Sequence, residues 1–220
     1  MKKFILFIAV FSIINFSVAQ SERYQKTMEQ NIAGIDTTRT VDGWRDLGNS
    51  FHRIADAEKT QWLPFYYAAM SHVMVGNLIG TANGGMGGFA DKTDPEADQA
   101  EQLLNKAEEL GKTNSEILCV RKMIATLRMM ADPMNRYQTQ IPLAAEALER
   151  AKGLNPENPR IYILEGQDKY FIPEQYGGSK TEAKTLFEEA MKKFETFKPE
   201  SSIHPNWGKG QLMYFLSQLK

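Results

Sequence analysis

The chain has 220 residues, a formal charge of -1, 42% hydrophobic residues and a single cysteine, Cys119. A nearly neutral balance excludes a nucleic-acid partner, which would demand a basic stripe. One cysteine excludes an internal disulfide framework, so stability must come from packing. The length suits one domain or a short array of repeats.

The chain opens MKKFILFIAVFSIINFSVAQ, with Lys2 and Lys3 ahead of an apolar stretch. This predicts a secretory signal peptide over residues 1–19, because Ser17 and Ala19 are small at the positions a signal peptidase inspects. An exported protein, periplasmic or secreted, is therefore expected, with a mature domain over 20–220. Cleavage would remove two lysines and no acid, taking the charge to -3. No cysteine follows the cut, so no lipid anchor is expected, and the stretch falls short of the roughly 20 apolar residues that span a bilayer.

Beyond the signal, apolar residues recur at spacings of three and four, which predicts helix throughout. Phe51 and Ile54 begin the pattern. The segment Trp62 to Gly80 is nearly long enough to span a membrane, but Pro64, Ser71, His72 and Asn77 sit inside it, and a helix buried on most faces is the better reading. Thr81 to Asp98 is the longest irregular stretch. Its glycines around Met86 allow a flexible loop that could close over a ligand, and Asp94-Pro95-Glu96 reads as a helix start. Asp91, Asp94, Glu96 and Asp98 lack the spacing of a calcium loop. Leu104, Ala107 and Leu110 then share a face, as do Leu148, Ala151 and Leu154, and Phe187, Ala190 and Phe194. From Phe51 the equivalent positions are Leu104, Leu148 and Phe187, at steps of 53, 44 and 39 residues. After each comes a break and then a further helix, predicted from Trp62, Ser115, Pro159 and Pro205, with Ser115 able to cap and Pro159 and Pro205 at first helical positions.

The stretch YGGSKTEAKTLFEEA, 176–190, is the nearest approach to a phosphate loop. However, Ser179 separates Gly178 from Lys180, no glycine stands five positions earlier, and RIYILEGQDKYF before it reads as helix. The residues fit a turn instead: Pro173 ends a helix, Gly177 and Gly178 permit positive φ or a close crossing, and Ser179 or Thr181 caps the next helix.

No other constellation carries chemistry. Met70 and Met74 share a face, but His72 points about 200° away from Met70 on a helix, so the three cannot converge on copper, and methionine fills helical cores well. His52 and Asp56 make an ordinary i, i+4 pair. Cys119 has no histidine placed to activate it, and neither HExxH nor G-x-S-x-G occurs. No metal, cofactor or catalytic residue is expected, and an enzyme built on dispersed residues ranks third among the function classes.

ALERAKGLNPENPRIYILEG, residues 147–166, resembles a tetratricopeptide repeat: Ala147, Leu148 and Ala151 in a second helix, the Leu154-Asn155-Pro156 exit, the Asn158-Pro159 entry, then Tyr162, Leu164 and Gly166. EKTQWLPFYYAAM and KTNSEILCVRKMI resemble the same junction, with Ala69 in the small place that Gly166 fills. The steps exceed the family's usual length of about 34 residues. The resemblance implies an all-α, right-handed array of antiparallel hairpins, a TPR-like α-solenoid of eight or nine helices. It also implies a concave face lined by Tyr66, Met70, Met123, Arg160, Gln167 and Tyr170, which would take a partner protein or extended peptide in the cell envelope. The alternative is a carrier or transporter-partner subunit holding a small apolar ligand in a helical cavity.

Overall fold

The structure, a computed structural model, describes residues 22–219; the expected signal peptide lies outside them. Nine α-helices and no strand occur among these residues: α1 (22–35), α2 (Val41–Ala57), α3 (Trp62–Ala82), α4 (Ala90–Gly111), α5 (Ser115–Ala131), α6 (Pro133–Leu154), α7 (Pro159–Phe171), α8 (Lys180–Thr196) and α9 (Lys209–Gln218). Side-chain oxygens set most of the starts by accepting from otherwise orphaned N–H groups. Thr40 accepts from Gly43 N, Asp132 from Asn135 N, Asn158 from Arg160 N and Ser179 from Glu182 N. For α5 the cap is Asn114, which accepts from Glu116 and Ile117 N at 3.0 Å each, and not Ser115. Ser115 is the first helical residue and is buried.

The helices form a row of antiparallel hairpins in two layers. α3 packs against α2 and α4, α5 against α6, and α7 against α8, while α3, α5 and α7 lie side by side. The four positions related by the sequence period, Phe51, Leu104, Leu148 and Phe187, fall in α2, α4, α6 and α8, and all four are buried. Gly166 is small because the ring of Phe187 lies against it. α3 is buried on every face, and no helix of the described residues is long and apolar enough to cross a membrane.

The interior is not continuous. One apolar cluster spans α1 to α5, a second spans α5 to α9, and Met123 packs against both. A flexible thioether suits such a seam. Helix lengths are also unequal: at 1.5 Å per residue α6 extends about 33 Å and α7 only about 20 Å. α7 therefore leaves the N-terminal half of α6 uncovered, and Met134, Tyr137 and Ile141 form an exposed stripe there.

Two predicted helix starts shift. α4 begins at Ala90, so Asp94-Pro95 lies inside it. Phe89 is buried against Gly80, and its carbonyl accepts from both the N–H and the hydroxyl of Thr93, which anchors the helix earlier than the proline. The acids of this stretch stitch helices together. Asp94 takes both arms of Arg136 at 2.6 and 2.7 Å, Glu96 pairs with His72 and Arg45, and Asp98 with Arg128. Pro205 does not open a helix; residues 197–208 are extended or turned and α9 starts at Lys209.

At 176–190, Gly177 has a φ of 93°, and a Cβ on Gly178 would collide with the Ile172 carbonyl oxygen. Ser179 caps α8. We expect Ser179→Ala to cost about 1 kcal/mol, the usual loss of a cap. Gly178→Ala should cost more, about 2–3 kcal/mol, because backbone must move. Urea unfolding of both variants checks the order, and equal losses would contradict the close crossing. Hydrogen bonds from Arg136 and from His72 hold the Asp94 and Glu96 carboxyls below the usual carboxylate range. Depressed native values mean stability that is present above the unfolded pKa and lost as pH falls through the native one. The drop in stability between pH 7 and about pH 3 should thus be smaller in a D94N/E96Q variant than in the parent.

Candidate ligand-binding face

The first helices of a hairpin row present their N-terminal ends to one side, and here the chain covers that side itself. Residues 197–208 leave α8 and run over α7, α3 and α1. Phe197 and Trp207 lie against the Arg160 guanidinium, with centroids 4.6 and 5.8 Å from it. Trp207 Nε1 donates to the Tyr66 hydroxyl at 2.8 Å, and the Tyr67 hydroxyl donates to the Ile203 carbonyl at 3.0 Å. His204 packs edge-on against Trp62, and Ser202 donates to Glu29 at 2.5 Å. The strap ends at Gly208, whose φ of 104° turns the chain into α9.

Under the strap lies an ion pair. Arg160 is 0% exposed, and it donates through Nε to Glu116 Oε2 at 2.7 Å and through Nη2 to Oε1. Asn158 Nδ2 donates to Glu116 Oε1 at 3.0 Å and to Ser115 Oγ at 2.9 Å. Arg160 Nη1 has no hydrogen-bond partner among the described residues. Burial pushes the Glu116 carboxyl up, with the charge and hydrogen bonds of Arg160 pulling against it. Burial also works against the Arg160 charge, but Glu116 more than offsets it and leaves the guanidinium above its ordinary range. Burial raises the Tyr66 hydroxyl and the Cys119 thiol well above theirs, and the Cys119 thiol is free and buried.

Of the residues predicted to line a concave groove, Tyr66, Met70 and Arg160 are buried, and Met123, Gln167 and Tyr170 are half-buried. Tyr66 and Arg160 lie beneath the strap. Tyr170 belongs to a ladder of rings leading from the second core cluster to the surface. Phe187 stacks on Phe215 at 4.9 Å, Phe215 meets Tyr170 at 5.1 Å and Phe171 at 5.7 Å, and Tyr214 lies 5.8 Å from Phe215. The inner rings are buried, whereas Phe171 is 64% and Tyr214 61% exposed. Met213, Ile172 and Tyr176 are exposed as well. A contiguous apolar surface of this kind marks an interaction site. Sequence reasoning missed Phe171, Tyr214 and Phe215, which come from helices about 40 residues apart; the one signal was their apolar character at helix ends where the polar face was due.

Other surfaces are less suited to a ligand. A groove of about 550 Å³ between α7 and α8 is lined by Glu165, Asp168, Lys169 and Glu182. Its acids are already paired, Glu165 with Lys152, Asp168 with the buried Lys122, and Glu182 with Lys169. Each histidine also has a carboxylate partner: His52 with Asp56, His72 with Glu96, His204 with Glu200. Among the described residues no cluster of three histidine, cysteine or acidic side chains could hold a metal ion.

The protein is an all-α hairpin row that carries an exposed aromatic ladder at one end. No family model and no curated protein matches the chain. Among solved structures it is similar to the HusA haemophore from Porphyromonas gingivalis, with 30% sequence identity and a TM-score of 0.75 over 90% of this chain and 92% of that one. The chain belongs to the family of that haemophore.

Removing Glu116 strands a buried cation. Glu116→Ala should cost about 3–5 kcal/mol in urea unfolding, whereas the double variant Glu116→Leu/Arg160→Met should recover most of it. Trp207→Ala should raise amide exchange across 197–208 while α2 and α4 stay protected. Unchanged exchange in the strap would show that Trp207 does not hold it.

Proposed function

We infer that the protein is an exported carrier, directed out of the cytoplasm by residues 1–19, and that it binds haem on the aromatic face formed by α7, α8 and α9. The observation that carries this reading is the ladder Phe187, Phe215, Tyr170, Phe171 and Tyr214, buried at one end and open at the other. A flat macrocycle buries most area against ring faces, and aromatic pairs gain beyond that area. The haemophore relative favours this small-ligand reading, the second of the two that the sequence supports. With each histidine beside a carboxylate, recognition rests on stacking and shape. An extended peptide partner, the other reading, would compete with the strap for the Tyr66 and Arg160 end of the first helices. We take the hairpins themselves as divergent tetratricopeptide-type repeats, on the Ala147 to Gly166 pattern and the buried period positions.

Titration of the mature protein with haem, followed in the Soret band, tests the reading. Phe171→Ala and Tyr214→Ala should each weaken binding about tenfold, or ~1.4 kcal/mol. A Met134→Ser/Tyr137→Ser variant on the exposed stripe of α6 should bind like the parent. Absence of any Soret change, or a larger loss from the α6 variant, would move the function elsewhere.

A further inference from the structure

We propose that Lys180 recognises a carboxylate of the ligand, and that in the free protein its ammonium occupies the ring face that the ligand takes over. This rests on the haem-type reading above and specifies the ligand class as a flat aromatic acid. Lys180 is the first residue of α8, and its Nζ lies 3.0 Å from the centroid of the Tyr170 ring, donating to the Tyr170 carbonyl oxygen at 2.6 Å. Among the described residues no carboxylate lies within ion-pairing distance of it. Lys184 on α8 and Lys209 on α9 have none either, but Lys152 and Lys193, which also lie over a ring, each have one.

Helix electrostatics do not account for a cation here. The N-terminus of a helix carries partial positive charge, and a lysine at its first position is on the unfavourable end. A cation over a ring is held only weakly at an exposed site, and a ligand carboxylate would gain from the ammonium and the helix end together. The turn before α8 aims the side chain. Gly178 crosses against Ile172, Ser179 N donates to the Lys169 carbonyl at 2.9 Å, and the Ser179 hydroxyl caps the helix. The stretch 176–190 therefore has a role beyond turning the chain: it brings a cation with no carboxylate partner onto the edge of the aromatic face. Tyr170 is half-buried in the ladder, so a ring stacked on its exposed neighbour Phe171 would displace the ammonium sideways, toward the rim where the acid groups of a bound macrocycle project.

Haem and haem dimethyl ester share the macrocycle and differ in the carboxylates, so the pair isolates this contact. The parent should bind haem about five- to tenfold more tightly than the ester, with the ratio shrinking as salt is raised. Lys180→Gln should bring haem down to the ester's affinity and leave the ester unchanged or tighter, and Lys180→Arg should keep the preference. An acid-to-ester ratio in Lys180→Gln equal to the parent's overturns the proposal while leaving the aromatic face intact. If Phe171→Ala and Tyr214→Ala leave haem binding unchanged, the site itself is wrong and the role of Lys180 falls with it. Circular dichroism of Lys180→Gln, an exposed position, should match the parent.

Discussion

A guanidinium with no access to water organises this molecule. Arg160 enters the interior at the start of α7, and a buried cation is tolerated only when its charge is met. Glu116 on α5 meets it, Asn158 orients the carboxylate, and two rings from the strap cover the planar group. The same ring of Trp207 reaches Tyr66 on α3. Three first helices are thus held in register through one side chain and the segment laid over it. Lys122 and Asp168 repeat the α5 to α7 connection about two turns on, at 2.6 Å.

That arrangement bears on which surfaces of the row stay open. With strap residues over the N-terminal ends of α3 and α7, the aromatic ladder opens at the far end of α7 and on α9, and α9 itself is delivered there by the strap. The short α7 adds to this by ending at Phe171, so the ring that would be interior in a longer helix stands at the surface. The proposed binding face is made of what a regular row of hairpins would have buried.

Much of the frame is legible in residue order. Phe51, Leu104, Leu148 and Phe187 mark the second helices because each must fill the space behind a first helix, and the starts at Trp62 and Pro159 come from apolar period and capping chemistry. The glycine pair at 177 and 178 reads as positive φ or a close crossing, and the structure has the first at Gly177 and the second at Gly178. What resists reading is decided by distant partners. His204-Pro205 looks like a helix start by local rules, but Tyr67, 136 residues away, captures the Ile203 carbonyl, and Trp207 is drawn to Tyr66. Phe89 begins α4 ahead of the proline because its ring has a place against Gly80. The aromatic face is likewise assembled from Phe171, Phe187, Tyr214 and Phe215, whose adjacency no spacing announces.

The strap also bears on how such a chain can change over generations. An open row of repeats gains or loses a unit at either end, since each touches only its neighbours. Here residues 197–208 must stretch from the last full hairpin to α1, and a segment of that length reaches about 40 Å at most. Duplicating a hairpin would outrun the tether, and deleting one would leave it slack over a shorter row. Its descendants are free to vary ring chemistry at the ends of α7 and α9, but the number of hairpins is closed to revision.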